Sequence, residues 1–175
     1  PMFRPVNLAF GPDGCLYIAD WYNRTISHGT TTRNLDKHAR TLGRIWRVRH
    51  KSQNPLIPPN VQESSTPQLI DHLTSGNLWE MRAAIHQISI RKANFIIPHL
   101  TQLVQSSDTS DSNRIHALWA LESLGHFDAS VWKILFESKN QNVRHEALRA
   151  LSNLHPPLSE CFPLLKVLRG ERSFY

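Results

Sequence analysis

Cysteine is nearly absent: the chain holds two in 175 residues, Cys15 and Cys161, and neither has another cysteine three residues away. That excludes a C-x-x-C-H haem-attachment motif and a zinc motif of paired cysteines in this sequence. A disulfide would require the fold to bring these two distant positions together, and nothing in the sequence does so. Cys15 lies in a run of strand formers and reads as a small buried hydrophobe. Ten histidines are scattered, with no H-E-x-x-H spacing on a helix. No apolar run approaches the ~20 residues of a membrane-spanning helix. No cleavable leader is visible either, since Pro1-Met2-Phe3-Arg4-Pro5 runs straight into a strand pattern; the expectation is a piece of a longer protein.

Charge is sparse as well. Asp, Glu, Lys and Arg make up 19% of residues against 40% hydrophobic, which is enough apolar material for a core and too little charge for disorder. Twenty Lys and Arg outnumber fourteen Asp and Glu, a formal charge of +6. They are spread along the chain apart from Arg44, Arg47, Arg49 and Lys51, so the excess reads as a basic surface and no nucleic-acid partner is expected.

What is present divides at the prolines. Val6, Leu8 and Phe10 alternate with Asn7 and Ala9, the period of a half-buried strand. Gly11-Pro12-Asp13-Gly14 supplies the residue types of a tight turn, and Cys15-Leu16-Tyr17-Ile18-Ala19 is a second short strand. Asp20-Trp21-Tyr22-Asn23 then opens a polar loop that runs to Gly43. Residues 44–49 resume the strand pattern, with Trp46 and Val48 on one face and Ile45 and Arg47 on the other. The spacing predicts a three-stranded antiparallel meander over residues 1–50. Such a sheet buries too little to stand alone and must belong to a larger one. Residues 51–66 are a proline-rich linker, incompatible with a helix or an inner strand.

From residue 67 to 175 the period is helical. Thr66 and Pro67 open a helix with Leu69, Ile70 and Leu73 on its apolar stripe, ended by Gly76. Further helices are expected over Leu78–Ile90, around Phe95–Val104, over Ser112–Leu124, around Val131–Leu135, around Val143–Leu154 and over Leu158–Leu168. Three of them repeat. Ala84, Ala117 and Ala147 fall in one column and Ile88, Leu121 and Leu151 in another, with steps between the alanines of 33 and 30 residues, the period of a solenoid. Alanine lets helices approach and the large aliphatics fill the seam. Arg114 and Arg144 form a third column, which Met81 interrupts. His86, His116 and His145 are expected at the surface or between helices.

Two resemblances follow. The strand, P-D-G turn and L-Y-I-A-D strand resemble a blade of an NHL-type or sugar-dehydrogenase-type β-propeller. The helices resemble short HEAT repeats, most closely at Val143-Arg144-His145-Glu146-Ala147-Leu148-Arg149-Ala150-Leu151. The order of blade, proline-rich linker and HEAT repeats is similar to that of the membrane-bound dehydrogenase proteins of planctomycetes. The match is carried by Phe3-Arg4-Pro5-Val6, Gly11-Pro12-Asp13-Gly14, Leu16 to Asn23, His28-Gly29 and Gly43-Arg44-Ile45-Trp46-Arg47-Val48. The fold expected is thus mixed: the last blade of a β-propeller, then an all-α HEAT-like α-solenoid.

The resemblance implies oxidation of a sugar or alcohol by a pyrroloquinoline-quinone-type cofactor, with Ca²⁺, in a periplasmic or cell-envelope protein. Electrons would pass to a c-type cytochrome domain, with the helical repeats as the protein-binding part. His28 is the candidate base, since imidazole titrates near neutrality and Gly29 admits a close ligand; a hydrogen-bonded structural histidine is its plainer reading. Asp20 can ligate Ca²⁺, orient a histidine or cap its turn. Trp21 and Tyr22 can stack on a sugar or pack between blades. Arg44 can hold a cofactor carboxylate, pair with Asp20 or stand as an exposed strand-end charge. The isolated chain is expected to be inactive, and substitution of His28 or Asp20 is expected to affect turnover in the parent more than stability. The alternative is a non-catalytic module in which blade and repeats bind protein partners.

Overall fold

Gly11 to Gly14 reverse the chain as their chemistry requires. The Gly14 N–H donates to the Gly11 carbonyl at 3.0 Å and Gly14 adopts a φ of 73°, a conformation costly for any side chain with a Cβ. In this computed structural model, which describes residues 3–22, 42–54 and 57–168, the turn joins strands β1 (Pro5–Phe10) and β2 (Leu16–Asp20). They pair antiparallel, Phe10 opposite Leu16 and Leu8 opposite Ile18, with a bulge between Pro5 and Asn7. Strand β3 (Arg44–Val48) pairs antiparallel on the far side of β2, giving the order β1-β2-β3. The meander expected from the sequence is present, one residue displaced: Cys15 belongs to the turn, and Asp20 is the last residue of β2, opposite Arg44.

Register settles what each face carries, because cross-strand partners share a face. Leu8, Ile18 and Trp46 align with Phe10, Leu16 and Val48 on one face, while Ala9, Tyr17 and Arg47 align with Asn7, Ala19 and Ile45 on the other. Both outer strands are exposed along their whole length: Leu8 is 61% accessible on the first face and Ile45 75% on the second. Gly11 is buried beneath the Tyr17 ring, and a Cβ there would lie 2.3 Å from it, so a residue other than glycine would displace the ring.

Two compact units, Pro1–Pro59 and Asn60–Tyr175, make up the chain. The second consists of α1 (Gln68–Thr74), α2 (Leu78–Ile90), α3 (Ile97–Gln105), α4 (Asp111–Ser123), α5 (Ala129–Phe136), α6 (Gln141–Leu154) and α7 (Leu158–Leu165). Short 3-10 turns precede α3 and follow α7. Side chains cap four of these helices. Asn77, Ser110, Asp128 and Asn140 accept from backbone N–H groups of the first turns of α2, α4, α5 and α6, satisfying donors that have no partner inside a helix. At α1 the sequence pointed to Thr66, but no side chain caps that helix; Gln68 reaches back to accept from the Ser65 N–H and hydroxyl, each at 2.8 Å. Gly76 and Gly125, with φ of 79° and 67°, follow α1 and α4 in the left-handed conformation that ends helices.

Packing follows the columns read from the sequence. Helices α1 and α2, α3 and α4, and α5 and α6 pack as pairs; α2, α4 and α6 pack in succession, as do α3, α5 and α7. Ala84, Ala117, Ala147, Ile88, Leu121 and Leu151 are all buried in one apolar cluster. Trp132 of α5 is fully buried and donates its indole N–H to the Ala147 carbonyl at 3.0 Å, a contact that a bulky side chain at Ala147 would obstruct. The arginine column has a shared task. Arg114 donates to the Ser106 carbonyl at 2.7 Å, and Arg144 to Ser138 and Lys139 at 2.8 and 3.1 Å, so each ties the start of one helix to the carbonyl end of the helix before it, where a cation is favoured. Met81, in the same column, is buried in the core. His86 is exposed, and His116 bridges α4 to the end of α1 through Nδ1 and the Leu73 carbonyl at 2.9 Å. Among the described residues no helix is long and apolar enough to cross a membrane.

Candidate functional site

The end of the sheet where β2 stops and β3 starts carries three of the four candidate residues. Pairing of Pro5 with Asp20 and of Asp20 with Arg44 brings the beginning of β1 and both later strands to one corner. The Asp20 carboxylate is only 3% accessible. Its Oδ1 accepts from the Arg4 N–H at 2.7 Å and the Tyr22 N–H at 2.8 Å, and its Oδ2 accepts from the Trp46 indole at 2.9 Å. Burial alone would raise its pKa, but the Trp46 indole, the Arg4 and Tyr22 N–H groups and the nearby Arg44 charge outweigh it and leave the carboxyl below its ordinary value. The carboxylate is a clasp that joins all three strands.

Arg44 lies over aromatic rings, its guanidinium carbon 3.8 Å from the Tyr22 centroid and 5.6 Å from that of Trp46, a cation–π contact. Tyr22 reaches that place with a φ of 47°, unusual for a bulky residue and secured by the N–H bond to Asp20. Phe3 meets Trp46 edge to face at 6.5 Å. Trp21 fixes its backbone by donating to the Arg4 carbonyl at 3.0 Å, while its ring is 62% accessible. Among the described residues the Arg44 guanidinium meets no hydrogen-bond acceptor, so its planar donors suit a carboxylate or another planar anion. His28 lies outside the described residues.

Tested as a calcium ligand, Asp20 fits poorly: three N–H dipoles already point at its oxygens and would repel a cation. Among the described residues no group of three or more His, Cys, Asp or Glu is placed to hold a metal ion. Arg44 fits its suggested task better, being held by stacking with its donors free among those residues.

Sequence reading missed two further clusters. Asp13, taken for a turn residue, is buried and accepts from the Cys15 N–H at 3.1 Å, the Tyr17 hydroxyl at 3.0 Å and Arg47 at 2.7 and 2.6 Å. The signal was the register, which sets Tyr17 opposite Arg47 on the face near the turn. Burial works against its ionisation, yet the Cys15 backbone, Arg47 and Tyr17 bonds lower its pKa to about 2. A carboxyl depressed in the folded state contributes stability above its unfolded pKa near 3.9 and loses it as pH falls through the folded value. Melting of the sheet, followed by tryptophan fluorescence, is therefore expected to weaken between about pH 4 and pH 2, and Asp13→Asn should flatten that dependence while weakening the sheet at pH 7. An unchanged acid limb in the variant would show that Asp13 does not set it.

The second cluster joins His72 to Glu80 through Nδ1 at 2.5 Å and to the Ser64 hydroxyl through Nε2 at 2.8 Å. Ser64 also lies 3.2 Å from the Asn60 carbonyl, and Arg91 donates to the Ser64 and Gln62 carbonyls at 2.6 Å each. Together these bonds fasten the segment before α1 onto α1 and α2.

Charge is partitioned between the units. Residues 1–59 hold nine Lys and Arg against three Asp and Glu, whereas residues 60–175 hold eleven of each. The first unit therefore carries the whole excess, and two of its three acidic residues, Asp13 and Asp20, are buried in the clusters above.

A family model described as a domain of unknown function (DUF7133) matches residues 1–52. No curated protein and no solved structure matches the chain.

Proposed function

We propose that the sheet is a blade of a β-propeller, followed by a HEAT-like α-solenoid, in a quinone-dependent sugar or alcohol dehydrogenase-like protein of the periplasm or cell envelope. The observation that supports the architecture is the exposure of large apolar side chains on both faces of one three-stranded sheet, Leu8, Phe10 and Val48 on one side and Ile45, beside Asn7 and Arg47, on the other. A sandwich sheet needs cover on one face, whereas a propeller blade sits between two neighbours. The activity rests on the resemblance of the strand and turn motifs described above.

In this reading the chain's contribution to the pocket is the rim between β2 and β3. Arg44, stacked on Tyr22, would hold a carboxylate of a pyrroloquinoline-quinone cofactor, Trp21 would offer a flat apolar surface to a sugar, and His28 would serve as the base. When bound, the quinone would supply the two-electron oxidising centre, with Arg44 to orient it. Calcium is assigned no ligand among the described residues. Electrons would leave through a c-type cytochrome domain docked on the helical repeats.

The test uses the parent protein with all its blades, loaded with quinone and Ca²⁺, in dye-linked oxidation of sugars and alcohols. Arg44→Ala is expected to lower cofactor retention about tenfold or more, the weight of a lost charge-assisted bond, with little change in melting temperature, because its guanidinium is exposed. Wild-type retention in that variant would remove Arg44 from the pocket. A second reading, a non-catalytic propeller and repeat module that binds proteins, is favoured by the engagement of Asp20 as a clasp; absence of oxidation with every sugar and alcohol tried would favour it.

A further inference from the structure

Three side chains from separate places in the helical unit line up end to end. Ser64 precedes α1, His72 lies within it, and Glu80 stands in the first turn of α2. His72 Nδ1 is 2.5 Å from Glu80 Oε1, and its Nε2 is 2.8 Å from the Ser64 hydroxyl. A carboxylate can only accept, so Nδ1 carries the ring hydrogen and Nε2 keeps the lone pair to which Ser64 donates. The His72 and Glu80 side chains are 17% and 15% accessible, while Ser64 is half-buried and its neighbours Gln62, Glu63 and Ser65 are exposed. Holding the segment does not require this order. Arg91 already ties down the Ser64 and Gln62 carbonyls, and the Ser64 hydroxyl has a second acceptor in the Asn60 carbonyl at 3.2 Å. Hydroxyl, Nε2, Nδ1 and carboxylate in sequence are instead the arrangement in which a base activates a nucleophile and a third group orients the base.

We propose that Ser64, His72 and Glu80 form an acyl-transfer site that hydrolyses small esters. Ser64 Oγ attacks the acyl carbon as its proton passes to His72 Nε2. The bond to the leaving alcohol breaks, and the imidazolium returns that proton to the departing oxygen. Water then attacks the acyl-serine, giving a proton to Nε2; the Ser64–acyl bond breaks and Ser64 takes the proton back. Ester and water give acid and alcohol. Glu80 orients the imidazole and stabilises its cation, and Arg91 is a positioning residue that fixes the backbone on which Ser64 sits. Among the described residues the Ser64 N–H meets no acceptor, which leaves it to donate to the developing oxyanion, a task the nucleophile's own N–H can perform. The exposed flanks of Ser64 suit a compact acyl group that reaches the hydroxyl without entering the core. The site lies within the helical unit and is independent of the dehydrogenase reading.

Two probes test it on the full chain: p-nitrophenyl acetate, followed by nitrophenolate absorbance, and a fluorophosphonate, whose adduct is located by peptide mass spectrometry. An adduct on Ser64 is expected, with turnover that His72→Gln lowers by about 100-fold or more, the weight of general-base catalysis. Ser64→Ala should lose the adduct and fall to the rate of free imidazole matched to the chain's ten histidines. Ser65→Ala, which removes the neighbouring hydroxyl, should change neither readout. Each variant is melted alongside the parent; where His72→Gln melts lower, Glu80→Gln, which keeps the side chain's length and one oxygen, is read the same way. Failure to label Ser64, labelling as fast without the His72 imidazole, or undiminished turnover in Ser64→Ala overturns the proposal. Loss of the adduct in Ser65→Ala with its retention in Ser64→Ala overturns it too, by making Ser65 the nucleophile.

Discussion

Leu121→Asp should unfold the helical unit or bring it close to unfolding. Leu121 is fully buried on α4, the helix that packs against α1, α2, α3 and α6. An aspartate there loses the ~1.5–3 kcal/mol of a buried leucine and places a carboxylate where no described side chain offers it a partner. The combined loss is expected to be about 4 kcal/mol or more, a large share of the ~5–15 kcal/mol that holds an ordinary domain together. Urea unfolding followed by the helical circular dichroism signal measures it. Ile90→Asp on α2, an exposed position, should shift the same curve by less than ~0.5 kcal/mol. If the two variants melt alike, the column of Ile88, Leu121 and Leu151 is not the seam of the unit.

Asp20→Ala should loosen the sheet at the corner where its strands meet. Three N–H groups lose their acceptor at once, and the Trp46 indole, the Arg4 N–H and the Tyr22 N–H have no second partner described. Tyr22 would also lose the bond that holds its left-handed backbone under the Arg44 guanidinium. Hydrogen exchange at the Trp46 indole and the Tyr22 amide should quicken by about tenfold or more, the factor set by one lost hydrogen bond to a charged group. Asp20→Asn should fall between, since its amide keeps an oxygen for Arg4 and Tyr22 but can turn an NH₂ toward the indole. This reverses the weighting expected from the sequence, which put Asp20 in a loop and its effect on turnover. Unchanged exchange together with lost activity in the parent would return Asp20 to a ligand's role.

Both outcomes turn on what a sequence can carry. The turn at Gly11–Gly14, the three strands and the helices were legible because period and turn chemistry are local properties, decided within about ten residues. The buried columns were legible for a related reason: a repeated unit presents the same face at a fixed interval, so alignment substitutes for tertiary knowledge. Boundaries slipped by one to three residues, as at α4, found over Asp111–Ser123, and at α7, which ends at Leu165. Asp20 ends the strand where the Arg4, Tyr22 and Trp46 N–H groups meet its carboxylate, and at α1 no side chain caps the helix, Gln68 reaching back to Ser65 instead.

Composition and pattern by themselves determined a β-then-α chain, a break at the prolines, an alanine and aliphatic seam, and the absence of a haem motif or paired cysteines. Only the tertiary structure decided that Asp13 and Asp20 are buried, that the Arg44 guanidinium lies over the Tyr22 ring, and that large apolar side chains stand exposed on both faces of the sheet and on one face of α7. The reason is physical. Strand and helix periods are fixed by backbone geometry between neighbouring residues, whereas the state of a carboxylate depends on donors brought from positions 16 and 26 residues away in the case of Arg4 and Trp46. Register, which no local pattern encodes, sets those meetings.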